Sequence, residues 1–206
     1  MNRRALLALA CGCALAPAAA LAQGGAIHGS LSVPAAGMGG VVVYLVPGRG
    51  APPPPMTAVM DQRGLKFVPR ILAVTPGSTV AFTNSDPVMH NVFHPSERSD
   101  AFDLGTYPEG ERRSFTFARE GAYVIFCHVH PEMIGYVVVV ASAHLAVSNA
   151  KGAFHFEGVA PGTYHLRTWH SRLKSLDQVV TVPAGGAVTV HLALKHGAPV
   201  APGSLR

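Results

Sequence analysis

The stretch Gly121-Ala122-Tyr123-Val124-Ile125-Phe126-Cys127-His128-Val129-His130-Pro131-Glu132-Met133 decides what fold and chemistry are expected of this chain. Its first half is a short aromatic and β-branched run, which is typical of a β-strand. Its second half places a thiol, an imidazole and a thioether at three-residue intervals, at Cys127, His130 and Met133. These soft and borderline donors favour copper over calcium or magnesium, which prefer carboxylate-rich sites.

The spacing of these donors predicts one tight loop bent around a single ion. A second imidazole from a neighbouring strand would complete a plane of two histidines and one cysteine, with the methionine sulfur as a weak axial ligand. The segment Met89-His90-Asn91-Val92-Phe93-His94 follows a turn at Asp86-Pro87 and supplies that imidazole. The candidate ligands are therefore His90, Cys127, His130 and Met133.

The rest of the chain has strand character. Turn sequences such as Thr75-Pro76-Gly77-Ser78 separate short β-branched runs, and no window of more than ten residues shows a helical period. Hydrophobic residues make up 49% of the chain, which is too apolar for a disordered protein. The sequence predicts an all-β, sandwich-type fold with strands at 27–33, 40–46, 71–74, 79–84, 112–118, 122–127 and 136–141.

Residues 1–22 are predicted to be a cleaved signal peptide. Arg3 and Arg4 precede an apolar run at 5–16, and Ala20-Leu21-Ala22 forms a cleavage site. Pro17 argues against an uncleaved anchor helix. The mature chain is therefore expected in the periplasm, without a membrane span, and Cys127 would be its only thiol.

A second small β-sandwich is predicted at 142–198, followed by a tail at 199–206. Its length is marginal for a core of its own, so strands within 23–55 are expected to complete it, and the segment 56–141 would be inserted between them. Four prolines at 52–55 mark a boundary. The segments 29–46 and 151–169 resemble a carboxypeptidase-regulatory, transthyretin-like domain.

The motif Cys127-x-x-His130-x-x-Met133, with Pro131 after the histidine and His90-Asn91-Val92 upstream, resembles the copper site of amicyanin-type cupredoxins, relatives of plastocyanin. The resemblance covers about residues 56–141. It implies a Greek-key cupredoxin sandwich that holds one copper ion cycling between Cu(I) and Cu(II). The whole chain also resembles secreted bacterial proteins of the methylamine-utilisation type.

The resemblance implies a role for each residue near the ion. His90, Cys127 and His130 would be equatorial ligands and Met133 the axial one. Asn91 would direct its backbone N–H at the Cys127 sulfur, and its side chain would join the two ligand loops.

Three further residues lie beside these positions in the sequence. Pro131 has no N–H to donate to the sulfur. His94 and His128 depart from the family pattern, and we interpret them as rim residues, with binding of a second metal ion as the alternative. The remaining histidines are expected to be ordinary strand or surface residues: His28, His144, His155, His165, His170, His191 and His196.

Several other readings are weaker. Zinc is the closest competitor because Cys and His bind it well, but zinc sites seldom use methionine. A catalytic thiol is disfavoured because Cys127 ends a strand, whereas such a thiol prefers a helix terminus and a separate base. Nucleic acid is not an expected partner, since the net charge is only +5 and no Lys/Arg run occurs.

The leading hypothesis is a mononuclear type 1 copper protein that carries electrons between transient protein partners and has no catalytic residues. Its docking patch would surround His130 and consist of Met89, Pro131, Met133 and Ile134. Two alternatives stay open: a periplasmic copper-binding or delivery protein without redox turnover, and a structural β-sandwich adaptor.

Overall fold

The computed structural model describes residues 24–33, 40–46, 53–97 and 99–199, so the predicted signal peptide and nearly all of the predicted tail lie outside the described residues. The described part of the chain contains strands and no helix, which confirms the all-β prediction. The strands are β1 (Gly25–Ser32), β2 (Val42–Val46), β3 (Thr57–Gln62), β4 (Phe67–Val68), β5 (Ile71–Val74), β6 (Ser78–Asn84), β7 (His90–His94), β8 (Phe102–Tyr107), β9 (Arg112–Phe117), β10 (Gly121–Phe126), β11 (Ile134–Val139), β12 (Leu145–Val147), β13 (Ala153–Val159), β14 (Gly162–Trp169), β15 (Asp177–Val182) and β16 (Ala187–Ala193).

The first sandwich packs a four-stranded sheet, β4-β3-β6-β9, against a five-stranded sheet, β5-β11-β10-β7-β8. Strand β6 alternates strictly between buried and partly exposed residues, because successive side chains of a strand point to opposite faces. Phe82 and Phe117 from one sheet and Ile125 and Val137 from the other are fully buried in the shared core. This sandwich carries all four candidate ligands.

The second sandwich combines strands from both ends of the described chain. Strand β1 pairs with β13 and β16, and strand β2 pairs with β12 and β14. Ile27, Leu45 and Leu166 lie in its core. The chain therefore leaves this sandwich after β2 and re-enters it at β12.

The two sandwiches share a third apolar cluster, which includes Tyr44 and Trp169 from the second sandwich and Ile71 and Val138 from the first. The Trp169 ring lies 5.5 Å, centroid to centroid, from that of Tyr136 in β11. Burial of such large side chains between the sandwiches favours one fixed arrangement of the two.

The strands that were not predicted from the sequence are β3, β4, β7, β8, β12 and β15. Strand β7 begins with His90 and Asn91, and β8 contains Asp103 and Gly105, so neither has strong intrinsic β-propensity. Pairing between the two strands, from His90 opposite Tyr107 to His94 opposite Phe102, supplies what the local sequence lacks. None of the described residues forms a helix that could cross a membrane.

Candidate metal centre

Two neighbouring strands bring the candidate ligands together. Cys127 directly follows β10, and His90 opens β7, which pairs with β10 where Phe93 lies opposite Phe126. After Cys127 the chain makes a tight turn in which the N–H of Met133 donates to the carbonyl of His130 at 3.0 Å. The turn holds His130 on the same side as Cys127.

The ring nitrogens of His90 and His130 and the sulfur of Cys127 form a small triangle. The two Nδ1 atoms are 3.1 Å apart, and each lies 3.9 Å from the Sγ atom. A triangle with sides of 3.1, 3.9 and 3.9 Å has a circumradius of about 2.1 Å, so one point lies at that distance from all three atoms. Bonds from imidazole and thiolate groups to zinc, an ion similar in size to copper, are roughly 2.0–2.3 Å long.

Among the His, Cys, Asp and Glu side chains of the described residues, these three have ligand atoms close enough together to hold one metal ion. His90 is 0% exposed and Cys127 is 3% exposed, whereas His130 is only partly buried. The site therefore has an inner side at His90 and an outer side at His130. Two imidazoles and one thiolate in a plane fit copper.

Met133 is buried at the end of the ligand loop. It is 1% exposed and belongs to the apolar cluster that contains Cys127. Its backbone bond to His130 keeps it in the ligand loop. Its assignment as the axial ligand stays a prediction.

Asn91 links the two ligand segments. Its backbone N–H points at the Cys127 sulfur at 3.4 Å, and its side-chain oxygen accepts a hydrogen bond from the N–H of His128 at 3.3 Å. Its amide nitrogen donates to Asp103 at 2.7 Å. Such bonds fix the orientation of the sulfur and reduce the charge density on it.

The sequence analysis assigned Asp86 only to a turn. In the structure its Oδ2 atom lies 2.9 Å from Nε2 of His90, on the far side of the ring from Cys127. Asp86 also accepts hydrogen bonds from the N–H groups of Gly64, at 2.6 Å, and Leu65, at 2.9 Å. A carboxylate four residues before a candidate histidine ligand was the signal available in the sequence, because a ligating histidine commonly donates its second N–H to a carboxylate.

The pKa of Asp86 is lowered from its ordinary value. Burial acts to raise this pKa, but the hydrogen bonds from Leu65, Gly64 and His90 outweigh it, because they stabilise the ionised carboxylate. Asp86 is therefore negatively charged at neutral pH. That charge favours the tautomer of His90 in which Nε2 carries the proton and Nδ1 is free to bind an ion.

His94 and His128 lie outside the triangle. The His94 Nδ1 atom is 2.8 Å from the carbonyl of Val124, and its ring lies edge-on to Tyr123. The His128 ring stacks on Phe93 at 3.7 Å, and its Nε2 atom lies 3.3 Å from Asp103. Both imidazoles thus have contacts of their own.

Apolar side chains close to the candidate ligands in the sequence are exposed to solvent. Met89 is 45% exposed, and Val88 and Val129 are similarly exposed. The docking patch expected from the sequence was wrong for Met133, which is buried because it packs into the apolar cluster that contains Cys127. Val88 and Val129 are further exposed apolar residues close to the candidate ligands in the sequence.

Comparison with known proteins is consistent with this geometry. The family model for copper-binding proteins of the plastocyanin/azurin family matches residues 55–140. No curated protein matches the chain.

The solved structures that resemble part of the chain include the following three. A reduced amicyanin variant is 30% identical, over 40% of this chain and 81% of its own, with a TM-score of 0.39. A purple cupredoxin from Nitrosopumilus maritimus is 27% identical, over 40% and 98%, with a TM-score of 0.36. A copper-containing nitrite reductase from Thermus scotoductus is 28% identical, over 47% and 25%, with a TM-score of 0.38.

Proposed function

We propose that this protein, whose residues 55–140 belong to the plastocyanin/azurin family of copper-binding proteins, carries single electrons between periplasmic protein partners. The observation that carries this proposal is the triangle of two imidazole nitrogens and one sulfur around a common point. The cofactor is one copper ion, which supplies the one-electron change between Cu(I) and Cu(II).

His90, Cys127 and His130 would hold the ion, and Met133 would be a further ligand. Asn91 and Asp86 would keep the sulfur and the inner imidazole in place through the hydrogen bonds described above. Because the ligands are largely buried and already held in orientation, their atoms need to move little when the ion gains or loses one electron. Small reorganisation is what an electron carrier requires.

Electrons would pass to a partner protein through His130. Its side chain is partly exposed, and the exposed apolar residues Met89, Val88 and Val129 lie within two residues of His90 or His130 in the sequence. An apolar patch at this position would favour brief and weak contact with another protein.

The spectrum of copper-reconstituted protein tests the proposal. We expect intense visible absorption from thiolate-to-copper charge transfer, and a paramagnetic-resonance signal that disappears on reduction. Cys127→Ser should abolish the absorption, whereas His165→Ala, which removes an imidazole from the second sandwich, should leave it unchanged. Wild-type protein that binds copper tightly but stays colourless would contradict the proposal.

Copper delivery without redox turnover is the alternative. This alternative depends on His94 and His128 as additional metal-binding residues. Both imidazoles already contact other groups, which does not favour it. Reversible voltammetry with one copper ion per chain favours electron transfer. Copper that transfers irreversibly to an acceptor, without redox cycling, favours delivery.

The second sandwich is proposed to be a carboxypeptidase-regulatory-like packing module, without chemistry at the copper site. The strands contributed by both ends of the described chain support this proposal. We further propose that residues 1–22 direct export and that the chain is of the methylamine-utilisation type. Export is tested by the N-terminal sequence of protein recovered from the periplasm, which should begin at Gln23.

A further inference from the structure

The second sandwich has a histidine-rich outer face, formed by β13, β1 and β16. Along each strand, buried and exposed residues alternate, so one set of side chains faces solvent. His28 and Ser30 of β1, His155 of β13 and His191 of β16 all belong to this set, and the three imidazoles are exposed. The sequence analysis treated each of these histidines separately, because the pairing of the strands is not visible in the sequence.

The strand register places two of the histidines opposite each other and the third on the other side of the central strand. His155 lies directly opposite His28, and the two rings are nearly parallel, with centroids 6.5 Å apart. His191 lies opposite Ser30, which is two residues from His28 on the central strand. Directly opposed and diagonal neighbours on one face of a sheet lie within reach of each other's side chains.

The surroundings of the histidines are small or acidic. Ala153 and Thr189 are the other neighbours of Ser30 and His28 across the strands, and Glu157 follows His155 on the same face. The three strands contain no Lys or Arg. The small side chains leave a shallow depression above the sheet, and no cation within these strands opposes a positive ion there.

Hydrogen bonding leaves ring nitrogens available. The Nδ1 atom of His191 lies 2.6 Å from the hydroxyl of Ser30. When that Nδ1–H donates to the hydroxyl, Nε2 carries a free lone pair and its direction is fixed, which is how a ligating histidine is commonly oriented. The rings of His28 and His155 contact each other and make no hydrogen bond with the described residues.

We propose that His28, His155 and His191 form a second metal site, which binds a borderline divalent transition-metal ion such as Zn²⁺ or Cu²⁺. Imidazole is a preferred ligand of both ions, and Glu157 can add a carboxylate oxygen. The side chains are exposed, so rotation about their χ angles can close the rings on an ion without disturbing the core. The site would load and release its ion independently of the buried copper centre.

Calorimetric titration of Zn²⁺ into tag-free, copper-loaded protein tests this site. We expect one zinc ion per chain in addition to copper. His28→Ala, His155→Ala and His191→Ala should each weaken zinc binding at least about tenfold, because each removes one ligand of the set. His196→Ala, which removes an exposed imidazole elsewhere in the same sandwich, is the matched control and should bind zinc normally.

The visible absorption of the copper centre is recorded in the same samples. An unchanged band shows that each variant is folded, and it separates failure of this site from failure of the electron-transfer proposal. A second equivalent of Cu²⁺ should add a paramagnetic signal that lacks thiolate character and disappears in His28→Ala. Absence of zinc binding, or equal zinc binding by any of the three variants and the wild type, would overturn the three-histidine site.

Discussion

The carboxylate of Asp86 lies 2.9 Å from Nε2 of His90, while Nδ1 of the same ring faces Cys127 and His130. Because His90 is completely buried, water does not compete with this bond. The two backbone N–H groups that bind Asp86 hold the carboxylate in place. The inner imidazole is therefore oriented before an ion binds.

Asp86→Asn should weaken copper binding. The substitution retains an oxygen that can accept from Gly64 or Leu65, but it removes the charge that orients His90. We expect about 10–100-fold lower affinity, measured by competition with a chelator. Asp61→Asn changes a carboxylate that bonds Thr83 and Ser85 away from the site, and it serves as the control. Equal affinities of the two variants would refute an orienting role.

Asn91→Ala should destabilise the protein and alter its copper spectrum. The variant keeps the backbone N–H that faces Cys127, but it loses the side-chain bonds to His128 and Asp103. The free energy of unfolding should fall by about 1–3 kcal/mol, measured by chemical denaturation. Thr106→Ala, at the exposed position opposite Asn91 in β8, should change it little. If both variants behave alike, the link between the loops has no energetic importance.

Gly29→Ala should destabilise the second sandwich. A Cβ atom at this position would overlap the ring of Phe154, which covers Gly29 from the core side. We expect a loss of about 1–3 kcal/mol in unfolding free energy. The double variant Gly29→Ala with Phe154→Leu should recover part of that loss relative to the sum of the single variants. Strict additivity of the two substitutions would argue against this contact.

Trp169→Ala should weaken the contact between the sandwiches. Trp169 is buried in the shared cluster and packs against Tyr136. Removing it should lower the free energy of unfolding by about 3–5 kcal/mol, whereas Trp169→Phe should cost less because a ring remains. Trp169 is the one tryptophan of the chain, so wild-type fluorescence reports this contact during unfolding. Emission typical of a water-exposed indole in native protein would contradict the arrangement.

Asp177→Asn should show a pH-dependent effect on stability. Burial acts to raise the pKa of Asp177, but hydrogen bonds and charge attraction from His165 and Arg167 lower it overall. A carboxyl whose pKa is lowered by folding stabilises the protein above its unfolded pKa of about 3.8, and this contribution disappears as the pH falls below that value. Wild type should therefore be more stable than the variant at pH 7, and the difference should shrink below about pH 3.8. Urea denaturation at both pH values measures it, and a difference independent of pH would exclude this origin.

The local sequence was sufficient to predict those features of the protein that depend on residues close together in the chain. The short β-branched runs and the turn sequences between them predicted an all-β fold, and the loop from Cys127 to Met133 contains its donors at fixed spacing. The resemblance to cupredoxins also predicted the contact between the backbone N–H of Asn91 and the sulfur of Cys127. Strands β7 and β8 were missed because their stability comes from pairing with each other rather than from the propensity of their residues.

Contacts between distant segments were decided only by the tertiary structure. The chain's amino acids determined which donors are available: two imidazoles, a thiol and a thioether in a fixed order. Strand register and loop closure decided that His90 meets Cys127, that Asp86 supports His90, and that His28 faces His155. The physical reason is that a shift of one residue in strand pairing turns every side chain to the opposite face, and no short stretch of sequence encodes that register.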